Sequence, residues 1–517
     1  MNVKSAKFDI IGILVRILNM KKAALLLSLI GSVAATPDID LTIYKCSLCE
    51  TIIGKMIEHG TTFPEACDSL FDKVDKICDA FHEYLPDGVG TDPRATCMTA
   101  GFCPGDAGWY PPIDNSKLDI RVSKAHGGNH GYDKVRISVV SNATITDPLF
   151  TYSAPFKYRW TDMVLNTGIA TVTPGVDTSF TIAGEEFNIF VPAENAGTRG
   201  IIVGDPCFMS KFVECEFANT WNMFNNTVKL IDAASAHGSD LGYWMVLGDN
   251  FYDQKGEATR SFFSALSYNA KTTLFGTTPG NHDFWVHSSP SVYVPADQLG
   301  HGFMQYYGQD TAAATADAPF DFSVDPDEVS LLKGRKHALP AADNFFSYYK
   351  IGDTGFITFS GAHAYEDMKP EFVKACNWAA AEGPEYILLQ SHWNEEGYGC
   401  EGAMTTPAVY AEMAALPECS SVLPKMKYFM GHEHCNTITE PGLGYMVGAQ
   451  GMGGCGEWGI PIVDTTSGSF KVYYFLLYIQ PGPMNSATEA VDNFEAVYSC
   501  FRDNGVSNCY HLATEWA

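Results

Sequence analysis

Five short polar clusters hold the residues best able to do chemistry, and each follows an apolar run. Ile201-Ile202-Val203 leads to Gly204-Asp205, and Trp244-Met245-Val246-Leu247 leads to Gly248-Asp249-Asn250-Phe251-Tyr252. Thr272-Thr273-Leu274-Phe275 leads, after a short turn, to Gly280-Asn281-His282-Asp283. Tyr386-Ile387-Leu388-Leu389 leads to Ser391-His392-Trp393, and Tyr428-Phe429-Met430 leads to Gly431-His432-Glu433-His434. Taken singly, a Gly-Asp pair after a strand is usually a turn, and a lone histidine is more often structural than a ligand. Taken together, the clusters supply two bridging-capable carboxylates, a phenol, an amide oxygen and three imidazoles. That donor set suits two hard or borderline cations and contains no thiolate. Two adjacent cations polarise phosphate oxygens, lower the pKa of water and stabilise both oxygens of an in-line displacement.

The elements that must position these groups follow from the same runs. Short apolar runs suit strands buried on both faces. Helix-like stretches, such as 371–381, lie between them. An α/β domain is expected, with its polar clusters on loops at the carboxyl ends of strands, where open α/β sheets place their sites. Glycines at those turns allow a backbone to approach a cation or phosphate closely.

The five clusters resemble the calcineurin-type metallophosphoesterase superfamily, and within it the purple acid phosphatases, over about half of the chain. The resemblance implies an αββα fold, a β-sandwich flanked by helices, over 197–470. The superfamily's first motif is usually Asp-x-His, whereas this chain has Asp205-Pro206-Cys207. Purple acid phosphatases instead carry a tyrosine three residues after the bridging aspartate, and here that residue is Tyr252. Carried over, Asp205, Tyr252 and His434 would hold the first metal, and Asn281, His392 and His432 the second. Asp249 would bridge them. A phenolate is a hard donor, so Fe3+ is expected at the first position and Zn2+, Mn2+ or Fe2+ at the second. The implied reaction is hydrolysis of a phosphate ester by metal-activated hydroxide. His282 would stabilise or protonate the leaving oxygen, and Asp283 would orient its ring. Cys207 and Cys435 read as structural, with Cys215 a candidate partner for Cys207, and His363 reads as a satisfied structural histidine.

The rest of the 517-residue chain bears on location. Met20-Lys21-Lys22, an apolar run over 23–30 and small residues at 32–35 read as a secretory signal, with residues 1–35 as an anchor the alternative. Six cysteines then crowd into one stretch as Cys46-x2-Cys49, Cys67-x10-Cys78 and Cys97-x5-Cys103. Phe63, Cys67, Leu70, Phe71, Val74, Ile77, Cys78 and Phe81 share one helical face. Spacing alone leaves fifteen pairings open. This pattern is similar to the saposin B-like family over 42–107. That family's nested pairing would give Cys46–Cys103, Cys49–Cys97 and Cys67–Cys78. Such a module implies a lipid or membrane surface as partner, or else a stapled spacer.

Residues 108–196 read as a small β-rich domain, with strand-prone runs at 135–140 and 187–191. His126, Asn129 and His130 read as part of a solvated Gly-rich loop. The extension over 471–517 carries an apolar run at 472–479, expected as a closing strand, and a candidate Cys500–Cys509 bridge. Sequons stand at Asn142 and Asn225. The net charge of −27 disfavours nucleic acid as a partner. It fits an acidic lysosome- or vacuole-like compartment or a secreted protein, and it also serves solubility.

Two further readings stand beside the acid phosphatase. Acid sphingomyelinases also join a saposin-like module to this superfamily, which implies a phosphodiesterase acting on phospholipids. A metal-binding or adhesion protein with a dead site is the third.

Overall fold

The computed structural model describes residues 53 and 111–516, apart from 112, 158–160, 162, 209–214, 254–255, 285–298, 316–317, 322–338, 394–401, 452–453, 483–484 and 486. Two compact units divide the chain, Met1–Ala107 with Val292–Pro295, and Gly108–Ser291 with Ala296–Ala517. The expected signal over 1–35, and Cys46, Cys49, Cys67, Cys78, Cys97 and Cys103 with their pairing, lie outside the described residues. Of the stretch 42–107, only Ile53 is described, as helical and buried.

The larger unit opens with β1 (Asp119–Lys124), β2 (Lys134–Ser141), β3 (Tyr152–Pro155) and β4 (Val164–Thr171), an antiparallel sheet in the order β1-β2-β4-β3. A hairpin, β5 (Thr178–Ile182) and β6 (Glu185–Ile189), follows. The chain continues through β7 (Arg199–Val203), α1 (Met223–Ser235), β8 (Tyr243–Leu247), α2 (Glu257–Ala265), α3 (Tyr268–Thr272) and β9 (Leu274–Thr278). Next come α4 (Asn281–Phe284), α5 (His301–Tyr307), β10 (Ser347–Ile351), β11 (Thr354–Thr358), α6 (Tyr365–Glu382), β12 (Tyr386–Gln390) and α7 (Thr406–Ala414). It closes with β13 (Met426–Met430), β14 (Asn436–Glu440), β15 (Gly444–Val447), β16 (Glu457–Asp464), β17 (Lys471–Ile479), β18 (Val491–Asp492), α8 (Phe494–Asn504) and β19 (Thr514–Glu515).

Two large sheets organise these elements. One runs β18-β17-β16-β7-β8-β9, with β19 on β17; the other runs β10-β11-β12-β13-β15-β14. Within them β7-β8-β9 and β11-β12-β13-β15 pair in parallel. Side chains alternate across a strand, so each parallel strand feeds two cores. Tyr243, Met245 and Leu247 of β8 face Phe356, Leu388, Phe429 and Tyr445 of the other sheet. Trp244 and Val246 face the opposite way, onto Leu230 and Ile231 of α1 and Phe262 of α2. Ile387, Leu389 and Tyr428 pack outward against Phe372 and Cys376 of α6 and Val409 and Met413 of α7. The larger unit is thus mixed α/β, layered helices, sheet, sheet, helices.

The first strands are not peripheral. Ile120, Val122, Val135, Ile137 and Val139 join the same core as Met245 and Leu388. His126 is buried, contrary to the solvated loop expected of it. Its N–H donates to Asp310 at 2.9 Å, and its Nδ1 accepts from the Tyr348 N–H at 3.3 Å. The carboxylate partner missing from its sequence neighbourhood is supplied by Asp310, 184 residues away.

Four disulfides lie among the described residues: Cys207–Cys215, Cys376–Cys419, Cys435–Cys455 and Cys500–Cys509. Among the described residues no helix is long and apolar enough to cross a membrane.

Candidate metal centre

All five polar clusters sit where β7, β8, β9, β12 and β13 end. Nine described non-glycine residues have left-handed backbones, and six of them are Asp205, Asp249, Phe251, Tyr252, His432 and His434. Each such residue costs on the order of 1 kcal/mol or more, so their concentration in these loops marks a place where geometry is imposed.

The side chains converge in two groups. Ligand atoms of Asp249, His392 and His432 lie within 4.8 Å of one another, and so do those of Asp205, Asp249 and His434. Asp249 belongs to both. Tyr252 Oη is 3.0 Å from His434 Nε2 and 3.3 Å from Asp205 Oδ1. Asn281 Oδ1 is 3.0 Å from His432 Nδ1 and 3.1 Å from His392 Nε2. The phenol therefore joins one group and the amide oxygen the other.

This arrangement fits cations better than it fits itself. His392 Nδ1 lies 2.8 Å from the Leu247 carbonyl, which only accepts, so that nitrogen carries a proton. In the neutral ring a bare Nε2 then faces Asn281 Oδ1 at 3.1 Å and Asp249 Oδ2 at 3.4 Å, acceptor against acceptor. Asp249 Oδ2 is buried and, among the described residues, has no hydrogen-bond partner. Buried lone pairs converging without a donor are relieved by a positive ion. Without one, protons do the work. Burial, reinforced by Asp249 and opposed by His392, lifts the Asp205 carboxyl to about 8. Burial opposes a charged His392, yet Asp249 and Asp205 carry its pKa up to about 9. Burial, with His392 adding to it, lowers His432 to about 3. Burial is also the main cause that lowers His434 to about 4. Both rings are therefore neutral, with lone pairs available, at physiological pH.

His282 occupies the open side. Its backbone N–H donates to Asp249 Oδ1 at 2.8 Å, while its ring packs 4.9 Å from that of Tyr252. Its side chain is 13% exposed and that of His434 25%, whereas His392 and Asp205 are fully buried. Among the described residues of the centre, His282, His432 and His434 are the ones that reach solvent.

Asp283 has other partners than the imidazole expected for it. Its Oδ2 accepts from Gly280 N at 2.7 Å, Asn250 Nδ2 at 3.0 Å and Asn250 N at 3.3 Å. Asn250 Nδ2 also donates to Thr278 O at 3.1 Å, and its Oδ1 accepts from Thr277 Oγ1 at 2.7 Å. Asp283 and Asn250 thus stitch the loop carrying Asp249 to the loop carrying Asn281. Sequence reasoning missed Asn250, because its partner lies 33 residues away. His363 is structural, its ring nitrogens 3.0 Å from Ser360 Oγ and 2.9 Å from Pro340 O.

Burial, then the charge of Asp249, raises Asp283 from 3.8 to about 7. The folded protein therefore binds this proton more tightly than the unfolded chain does. The stability it contributes is full below 3.8 and is lost as pH rises to about 7. In metal-stripped protein, Asp283→Asn keeps an acceptor oxygen but removes the titration. It should flatten that decline by on the order of a few kcal/mol. Thermal unfolding across this pH range checks it; an unchanged slope would count against the assignment.

No family model and no curated protein matches this chain. Among solved structures it is similar to a purple acid phosphatase from yellow lupin (Lupinus luteus) seeds, at 11% identity and TM-score 0.44, over 69% of this chain and 72% of that one. A Staphylococcus aureus protein described as a 5'-nucleotidase is similar at 14% identity and TM-score 0.29, over 60% of this chain and 58% of that one. The sulfate thiohydrolase SoxB of Thermus thermophilus is similar at 11% identity and TM-score 0.28, over 60% of each chain. This chain spans less than two thirds of the latter two. The chemical reading of the centre therefore stands on its own donor geometry.

Proposed function

We propose that the protein is a secreted, acid phosphatase-like phosphoesterase with a binuclear metal centre. One observation carries this reading. Asp249 is shared by two donor groups, one completed by a phenol and the other by an amide oxygen. Asp205, Tyr252 and His434 would hold the first ion and Asn281, His392 and His432 the second, with Asp249 between them. Two ions held there would supply Lewis-acid polarisation of the phosphate and a lowered pKa for water. The buried phenol favours Fe3+ in the first group, and the nitrogen-rich second group suits Zn2+, Mn2+ or Fe2+. His282, on the open side, is the residue placed to hold a proton for the departing oxygen. Asp205, Asp249 and His392 are buried, so their donor atoms face the centre rather than bulk water.

The disulfides support an oxidising compartment, and the sequon residues Asn142 and Asn225 are exposed where a glycan would have to be. The high negative charge disfavours a nucleic acid as partner. The saposin-like cysteine pattern favours a second reading, a sphingomyelinase-like phosphodiesterase whose lipid substrate is presented by that module.

The mature chain should hydrolyse a phosphomonoester at about pH 5, where a general acid stays protonated, with no dependence on added vesicles. A phosphocholine diester assayed beside it, with and without vesicles, separates the readings. Diester turnover stimulated by vesicles would establish the second and overturn the first. Bound metal without turnover of either ester would point to a binding protein.

A further inference from the structure

We propose that residues 448–451 and 454–455, between β15 and β16, form a disulfide-fastened strap that positions Asp205 and His434 and thereby secures chiefly the first half of the centre. The proposal rests on the binuclear reading above. It goes beyond that reading by assigning a role to residues that donate to no metal.

The strap lies against both ligands at distances that exclude a side chain. A Cβ on Gly448 would stand 2.7 Å from Asp205 Oδ2 and 3.1 Å from His434 N. One on Gly454 would stand 2.7 Å from both Cβ and O of His434. Only glycine lets backbone approach so closely. Asp205 and His434 need such support, because both have left-handed backbones, with φ of 55° and 59°.

Fastenings run along the strap. Gly448 N–H donates to Cys435 O at 3.0 Å, beside His434. Cys207 N–H, two residues beyond Asp205, donates to Gln450 O at 2.8 Å. Gln450 Nε2 donates to Gly459 O at 2.6 Å, and Gln450 Oε1 accepts from Trp458 Nε1. Cys455 O accepts from Asn485 Nδ2 at 3.0 Å. Two covalent ties complete it. Cys435–Cys455 closes the strap directly onto the residue after His434, and Cys207–Cys215 anchors the residue on which Gln450 sits.

The other half is held by different means. His392 hangs from Leu247 O by its Nδ1, and Asn281 begins a helix stitched by Asp283 and Asn250, while His432 is the member of that group that touches the first, its N–H donating to Asp205 Oδ2 at 2.8 Å. Loss of the strap should therefore loosen the first site more than the second. An external dithiol would do this chemically. It donates two electrons and two protons to Cys435–Cys455, yielding two thiols, and departs as its own cyclic disulfide.

The test is zinc binding by metal-stripped full chain, read as equivalents bound in equilibrium dialysis. Wild type should bind two equivalents. The double variant Cys435→Ser, Cys455→Ser should keep one and bind the other roughly 10–100-fold more weakly, the usual cost of lost support behind a ligand. Gly448→Ala, with every bridge intact, should do the same, and it decides the matter if the serine variant fails to fold. Cys500→Ser with Cys509→Ser removes the bridge at α8 and should still bind two. Two equivalents at wild-type affinity in both strap variants would overturn the proposal. Equal weakening of both equivalents would also overturn it, since the strap would then support the whole centre. If wild type binds two equivalents but hydrolyses no phosphate ester, the phosphoesterase reading fails while the strap is still judged by its zinc pattern. If wild type binds none, both fall.

Discussion

Asp249→Asn should empty both halves of the centre and lower turnover by on the order of a thousandfold or more, equivalent to about 4 kcal/mol of lost transition-state stabilisation. The residue is the one shared by both donor groups. Its two oxygens have different duties. Oδ1 accepts the His282 N–H at 2.8 Å, while Oδ2 lies buried with no hydrogen-bond partner among the described residues, 3.4 Å from His392 Nε2. An asparagine cannot serve both places. With its amino group at the Oδ1 position, a donor meets the His282 N–H. With that group at the Oδ2 position, a donor points where a cation belongs. Either way the charge that two cations share is gone. On the fold itself the change has opposing effects, since it removes both the repulsion that helps raise Asp205 and the attraction between Asp249 and His392. Metal per chain and phosphate release, measured beside thermal unfolding, check this. A folded variant that keeps two metals and full activity would remove Asp249 from the centre.

The placement of the candidate site at strand ends was legible because each cluster follows a run of four or so apolar residues. Such a run, buried on both faces, has few options besides a parallel strand, and that fixes the polar residues after it at the carboxyl end. The strands β7, β8, β9, β12 and β13 follow from this logic. Short-range bridges were legible as well, since Cys207 and Cys215, or Cys500 and Cys509, are eight or nine residues apart. Cys376 and Cys419 are 43 apart, and only the packing of α6 brings them together.

The first sheet was harder to read for a different reason. Five consecutive residues of β1 are buried, Arg121 and Lys124 among them, so its pattern looks half-polar while its setting is a core. Arg136 in β2 is explained only by Asp310, 174 residues on, which takes Nε and Nη2 at 2.9 and 2.7 Å. Asp283 misled in a third way. The family resemblance assigned it to orient His282, but neighbouring residues on a helical turn point in different directions. The carboxylate turned inward to Asn250 instead.

His282→Ala should keep both metals and lower kcat by roughly 10²–10⁴-fold, the range for a lost general acid. The bond that ties His282 to Asp249 is made by its backbone N–H, which alanine retains. What alanine removes is the ring, on the open side of the centre and 13% exposed. Burial, only partly offset by Asp249, holds that imidazole below its usual pKa. A general acid works protonated, so activity should fall as pH rises through this lowered value, giving an acid optimum. The variant should lose that alkaline limb. The loss should also depend on the leaving group. An alkoxide needs the proton, whereas a nitrophenolate departs without it. Alkyl phosphates should therefore suffer far more than nitrophenyl phosphate. Equal losses on both, with metal retained, would make His282 a binding residue. Loss of metal would place its ring among the ligands, and the separation between Asp249, which holds the ions, and His282, which handles the proton, would collapse.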